Sequence, residues 1–461
     1  MATDFARRGK HVALGLVLSL AVGLGAPEKE AEAGSRYRTR GTRIAKGVKF
    51  IRMLDRRGPN RIKILKVNLA AGTTIDTVLA QDQLPGFEKT SSMASRSSAV
   101  AAINGDYARP TGRPVFTFAA DGYLAQTPLT WGRNFAVDAP ETQAFIGHPQ
   151  VSVWARDTDA GLAYEGKKRV NDGPATRRQV ARFTPAGGSE EISPAGTCQA
   201  RMLPVEAPRT VAETTGVEAT HEVEMVECGG ASMSPEGGSV LQTPADGDYA
   251  PALASLTPGE QVVLGWSLGW PGVLDTVGGN PTLIENGAIA ESNVNGTGSF
   301  FNRHPRTGVG YSASTGRVFF VTVDGRRKGS VGMTLRAFAK LFKKLGAEWA
   351  LNLDGGGSTT MFVNGAVVNR PSDKDANGNR VERGVSSSIV ILPGADPGEA
   401  PPPSQEEPTG IPIPPVNDAR VARLAVSDPA SLGGLASYLR SIGRWLPPSL
   451  RRAADSFDAS R

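Results

Sequence analysis

Asn352-Leu353-Asp354-Gly355-Gly356-Gly357-Ser358-Thr359-Thr360-Met361-Phe362-Val363-Asn364-Gly365 (NLDGGGSTTMFVNG) sets a carboxylate at the end of an apolar run. Three glycines and three hydroxyl residues follow at once. Glu348 to Leu353 reads as a buried strand that presents Asp354 at its mouth. Glycine carries a backbone-entropy cost, so three in a row inside a core imply close backbone approach. Backbone N–H groups of Gly355, Gly356 and Gly357, with the hydroxyls of Ser358, Thr359 and Thr360, suit an anionic or sugar ligand. Asn364-Gly365 then predicts a hairpin turn.

Outward from this stretch, Arg317 to Val323 (RVFFVTV) is a strand delivering Asp324-Gly325-Arg326. Thr334 is a candidate N-cap for a helix whose Leu335, Phe338, Phe342 and Leu345 share one face, and Gly346 ends it. Arg61 to Asn68 alternates as a half-buried strand does. Val100 to Ile103 is a short apolar run before Asn104-Gly105-Asp106-Tyr107, and Ser386 to Leu392 is the last core strand. The expected fold is α+β: a mixed β-sheet core with flanking helices, one large domain over 47–392. A polar, Gly/Pro-rich and loop-rich insertion interrupts it at about 138–260.

The bulk properties agree with a loop-rich β or mixed fold. The chain has 461 residues, 39% hydrophobic, with 55 glycines, 33 prolines and 6% aromatics. A net charge of +6 is modest for this length, and much of the basic excess lies near the ends, which argues against a nucleic-acid footprint. Arg7-Arg8-Gly9-Lys10, the apolar run Val12 to Ala26, and Ala31-Glu32-Ala33 form the three parts of an export signal over 1–33. A periplasmic or extracellular location is expected. Residues 34–46 read as a flexible basic leader, 393–418 as a Pro-rich linker, and 419–461 as a basic, partly helical or disordered tail able to touch an anionic surface weakly. Cys198 and Cys228 are the only cysteines, and in an exported chain such a pair reads as a disulfide.

Several motifs recur in a recognisable order: His304-Pro305-Arg306-Thr307-Gly308-Val309-Gly310, Val323-Asp324-Gly325-Arg326, Gly332-Met333-Thr334, the Asp354 loop, Asn369-Arg370-Pro371-Ser372, and Val381-Glu382-Arg383-Gly384-Val385-Ser386. In this order the chain resembles the phosphodiester glycosidase family from about Val100 to Leu392, densely from Gly278 and thinly across 138–260. The resemblance implies hydrolysis of an α-linked sugar from a sugar-1-phosphodiester, by attack at the sugar C1 with a phosphate monoester leaving. The substrate would be a glycan or sugar phosphate of the envelope or the extracellular space.

On chemical grounds a phosphate leaving group needs fixed positive charge more than a proton. Arg306 and Arg370 are therefore the candidate phosphate ligands, with Arg326 a further one. The anomeric carbon needs a carboxylate, for which Asp354 leads, Asp324 is second and Asp106 third. His304 would serve as acid or base, or as a loop-orienting hydrogen bonder. Asn104, Asn352, Thr307 and Ser358 would hydrogen-bond sugar or phosphate oxygens beside Gly355, Gly356 and Gly357. No metal ligand set is assigned, although acidic and hydroxyl groups near Asp354 are of the kind that holds Ca²⁺ or Mg²⁺. Gly265-Trp266-Ser267-Leu268-Gly269 matches a serine-hydrolase elbow in letters only, since its apolar flanks read as core strand. Asp373 to Asn379 lacks the terminal glutamate of a calcium loop and reads as a solvated turn.

Overall fold

The computed structural model describes residues 36–393, apart from 158–160, 168, 188–191, 193–194 and 231. The export signal, the Pro-rich linker after Pro393 and the basic tail lie outside the described residues. Among the described residues, no helix is long and apolar enough to cross a membrane.

The architecture is sheet upon sheet. The central sheet has eight antiparallel strands in the order Tyr37–Ala45, Val48–Asp55, Asn60–Asn68, Arg317–Val323, Arg306–Ser312, Trp349–Asn352, Thr282–Glu285 and Ala288–Ile289. One face carries Val48, Phe50, Leu65, Val67, Val309, Phe320 and Leu351. That face packs against Ile75, Ile103, Met361, Ile389 and Ile391 of a five-stranded sheet, and against Phe118, Phe135 and Val277 of a second one. The other face packs Ile64, Ile284, Phe319 and Val321 against Leu335, Phe338 and Phe342 of the helix Leu335–Leu345. That helix is capped as expected: Thr334 Oγ1 accepts from the Ala337 N–H at 3.1 Å, and Gly346 takes φ +86°. At eleven residues it is too short to persist alone, and its aromatic face on the sheet holds it.

The expected α+β core with flanking helices is therefore corrected. Among the described residues only four short α-helices occur, and the large apolar face of the central sheet is covered by other sheets. Apolar runs such as Ala101–Asn104 and Ser387–Leu392 are buried on both sides, which a second sheet provides as well as a helix does. The region expected as a loop-rich insertion instead contributes most of a second eight-stranded sheet, with its own core around Val153, Leu241, Leu264 and Trp266. The Gly265-to-Gly269 stretch runs through strand Gln261–Ser267 of this sheet. Cys198 and Cys228 face each other across two of its strands and are bonded. The basic leader is likewise corrected: Tyr37–Ala45 is an ordered edge strand whose arginines point outward. The hairpin at Asn364-Gly365 joins Met361–Val363 to Ala366–Val367.

Register brings the chemistry to one end of the molecule. Arg306 opens its strand opposite Val323, and Gly308 pairs with Asn352, so Arg306, Asp324 and Asp354 all emerge together. In the neighbouring sheet Asn104 closes a strand opposite Ser388, while Ile103 pairs with Met361, which puts Asn104 and Thr360 at the same end.

Candidate active site

The two sheets are joined at this end by Asn104. Its Oδ1 accepts from Thr307 Oγ1 at 2.8 Å and from the Thr360 N–H at 3.1 Å, and its Nδ2 donates to the Asp354 carbonyl at 2.7 Å. Asn104 and Thr307 are wholly buried, so both hold the site from behind. Asn352 does likewise: its Nδ2 donates to Tyr107 Oη at 2.5 Å and to the Asn280 carbonyl at 2.9 Å. Tyr107 in turn donates to the same carbonyl at 2.7 Å.

Asp354 stands half-buried at the rim of this frame. Burial raises its carboxyl above the ordinary range, while the Ser358 hydroxyl, the Gly355 N–H and the charge of Arg383 pull in the other direction. Each of the three glycines answers a separate close approach. A Cβ at Gly355 would lie 2.9 Å from the Pro305 carbonyl oxygen. Gly356 has φ +63°, and a Cβ there would sit 3.1 Å from Arg326 Nη2. At Gly357 a Cβ would collide with Arg383 Nη2 and Asp373 Oδ1. The loop thus passes beneath two guanidinium groups on the rim of the protein.

Arg326 is exposed and takes φ +56°. Its Nη2 lies 3.5 Å from His304 Nδ1, and its Nη1 lies 3.4 Å from Ser372 Oγ. His304 Nε2 is 2.7 Å from the Ser299 carbonyl. A carbonyl can only accept, so Nε2 carries the proton and Nδ1 faces Arg326 as acceptor in the neutral ring. Arg383 is half-exposed and pairs with Asp373 at 2.7 Å. Asp373 begins the predicted solvated turn, closed by Asp375 Oδ1 accepting from the Asn379 N–H at 2.8 Å.

The remaining candidates are placed differently. Arg306 is buried and turned inward: Nε donates to the Met333 carbonyl at 3.0 Å, and Nη2 to those of Phe300 and Asn302 at 2.7 and 2.8 Å. Burial draws its guanidinium down to about 10, still charged at neutral pH. Asp324 is 1% exposed, and its Oδ2 takes Lys63 Nζ at 3.1 Å and Arg327 Nη2 at 2.9 Å. Its Oδ1 accepts from the Arg370 N–H at 3.0 Å, while the Arg370 side chain is exposed. The structure thus gathers Asp354, the glycine loop, Ser358, Arg326 and His304 at one rim, with Arg306 and Asp324 as buried supports close by.

Sequence reasoning assigned no role to Arg383, Asp373 or Tyr107. Arg383 lies inside the Val381-to-Ser386 motif, and the collision at Gly357 is what singles it out. Asp106 is wholly buried beneath the site: Oδ2 accepts from the Phe116 N–H at 2.8 Å, and Oδ1 has no hydrogen-bond partner. Burial, with the Asp354 charge adding to it, pushes Asp106 up to about 8. Among the described residues, the carboxylates near enough to share a cation are Asp76, Asp121 and Asp275, with oxygens within 4.8 Å of one another. They sit on strands Thr74–Leu79 and Val273–Gly279 and the turn between Phe118–Ala120 and Tyr123–Gln126, outside the site just described.

Residues 208–392 match the phosphodiester glycosidase family model, a stretch that holds the glycine loop and both rim arginines. Two curated relatives align over shorter segments. An uncharacterized SPβ prophage-derived protein of Bacillus subtilis is 37% identical over 89 residues, 19% of this chain and 13% of the relative. The N-acetylglucosamine-1-phosphodiester α-N-acetylglucosaminidase of Mus musculus is 32% identical over 118 residues, 24% of this chain and 22% of the relative. The chain therefore spans less than a quarter of the length of these relatives. Two solved structures share the fold. One is a hypothetical protein from Synechocystis (TM-score 0.55, 21% identity, 75% of this chain and 62% of that one). The other is a putative exported protein from Burkholderia pseudomallei (TM-score 0.51, 22% identity, 73% of this chain and 74% of that one).

Proposed function

We propose that this protein is an exported hydrolase that releases an α-linked sugar from a sugar-1-phosphodiester on an envelope or extracellular glycan. The observation that carries the reading is the setting of Asp354: a carboxylate at the rim beside a glycine loop overhung by the guanidinium groups of Arg326 and Arg383. The resemblance of residues 208–392 to phosphodiester glycosidases supports the same reaction class. The disulfide and the likeness to a putative exported protein support the location.

In this mechanism the sugar C1 lies against Asp354 and the phosphate against the two arginines. A water oxygen attacks C1 as its proton passes to Asp354, the bond from C1 to the bridging oxygen breaks, and its electron pair leaves with the phosphate monoester. Asp354 supports the positive charge growing on C1 and the ring oxygen. Its raised proton affinity also makes it a better base toward an attacking water than a solvated aspartate. Arg326, oriented by His304, and Arg383 take up the charge collecting on phosphate. Arg306 and Asp324 act behind the rim, and the assay with and without EDTA reads whether a divalent cation such as Ca²⁺ or Mg²⁺ takes part.

The test is hydrolysis of N-acetylglucosamine-1-phospho and glucose-1-phospho diesters in ¹⁸O-water, with and without EDTA. Label in the released sugar, and a loss of roughly a thousandfold in kcat for Asp354→Asn, are expected. Label in phosphate would make the protein a P–O-cleaving phosphodiesterase instead. Affinity with no turnover would make it a glycan-binding protein.

A further inference from the structure

Charge is spread unevenly along the chain. Residues 37–68, which form the first three strands of the central sheet, hold eleven Lys and Arg residues and one acid, Asp55. The rest of the sequence has forty Lys and Arg against forty-four Asp and Glu. The positive excess of the whole protein is therefore carried by three adjoining strands at one border of one sheet.

Register sorts these charges onto faces. Arg38 stands opposite Leu54, which stands opposite Arg61, and Arg40 stands opposite Arg52, which stands opposite Lys63. Partners across a ladder share a face, as do residues two apart along a strand, so Arg38, Arg40, Arg52 and Arg61 form one block. Strand spacing and rise make that block about 10 Å by 7 Å at its Cα atoms. All four arginines are exposed. Among the described residues, the ion pairs at this border join Lys63 and Arg327 to Asp324, and none of the four arginines has a carboxylate partner. The block abuts the loop behind the candidate site, where the Asp324 N–H donates to the Arg61 carbonyl at 3.0 Å.

Four like charges held this close repel one another. Blunting a sheet edge calls for charge on the edge strand itself. Arg52 and Arg61 lie one and two strands inward, where that purpose does not reach. We infer that this face holds a polyanion, a chain of repeating phosphate groups, along the flank of the molecule beside Asp324. The inference goes beyond the proposed reaction and does not depend on it. A single phosphate gains little from an exposed arginine in water. A polymer engages several at once and releases its condensed counterions. Single-stranded nucleic acid is held on aromatic platforms, and a membrane takes up apolar side chains. The well-exposed large hydrophobic residues among those described are Phe87, Trp131, Val205, Met225 and Phe300, none of them in these strands.

The test titrates fluorescent long-chain inorganic polyphosphate with the full chain at two salt concentrations. Arg38→Gln, Arg40→Gln and Arg61→Gln combined should weaken binding at least about tenfold at low salt, and should flatten the log–log salt dependence by about two. A control removes the same charge from the opposite face through Arg43→Gln, Lys49→Gln and Arg317→Gln, and should stay within about threefold. Residues beyond 393 are the same in all three proteins, so their contribution cancels. Because exposed side chains alone are altered, both variants should melt with the unaltered protein. Equal losses in the two variants would reduce the effect to net charge and overturn the inference, as would no binding by the unaltered chain. Tighter binding to single-stranded DNA of equal charge would assign the face to nucleic acid. Capture by phosphatidylglycerol vesicles without polyphosphate binding would assign it to a membrane. Either result overturns the polymer.

Discussion

The backbone N–H of Arg370 donates to Oδ1 of Asp324 at 3.0 Å. Two aspartates that look alike in sequence, each closing a strand before glycine, are separated by this bond. Asp354 stays at the rim. Asp324 is sealed in, with Lys63 and Arg327 on its other oxygen, and grips the loop that carries Arg370 and, beyond it, Ser372 and Asp373.

Removing that buried charge strands Lys63, whose own proton affinity is already lowered by burial and only partly restored by Asp324. Asp324→Asn should therefore destabilise the fold by about 3–5 kcal/mol, read by urea unfolding. Lys63→Met in the same chain should recover part of the loss. An Asp324→Asn protein of unchanged stability would exclude the anchoring role.

Gly357→Ala should push Arg383 and Asp373 apart, because its new methyl would occupy their place. Turnover on a sugar-1-phosphodiester should fall at least about tenfold while the overpacking cost stays near 1–3 kcal/mol. Combined with Arg383→Ala the two losses should not add, since both remove one guanidinium. Full additivity would place Arg383 outside the reaction.

Asp106 and Glu141 are both pushed up to about 8, chiefly by burial. In the unfolded chain such carboxyls titrate near about 4, so between the two values the folded state binds more protons than the unfolded one. Stability should thus fall as pH rises from about 4 to about 8 and level off above. Asp106→Asn, which keeps an oxygen for the Phe116 N–H, should flatten that slope in thermal melts taken across the range. An unchanged slope would mean that Asp106 titrates as a solvated acid.

The disulfide closes a separation of 30 residues within the second eight-stranded sheet. Replacing both cysteines by alanine should lower stability by about 3–4 kcal/mol through the freed unfolded chain. Because that sheet holds none of the rim residues, kcat should be unaffected, as assayed at a temperature where both proteins are folded.

Local signals in the sequence were reliable where one element decides its own shape. The capped helix, the strand into Asp354 and the Asn364-Gly365 hairpin follow from nearest-neighbour chemistry, and the disulfide follows from there being only two cysteines to pair. The fold class did not follow, because an apolar run such as Ser387–Leu392 shows that it is covered without showing what covers it. The edge strand was hidden because Arg38, Arg40 and Arg43 lie on exposed positions of Tyr37–Ala45, and that composition imitates a leader. At the site, the glycine run correctly announced close approach. The approaching groups at Gly356 and Gly357 are this chain's own arginines, however, and only three dimensions identify Arg383 as one of them.

The arginine-studded strand at the border of the central sheet sets a limit on trimming. Cut at residue 46, the molecule would offer Val48–Asp55 as its new margin, with Phe50 and Met53 beside an open row of amide and carbonyl groups. Such a margin invites one copy to add itself to another, so the basic strand works as a guard against self-association.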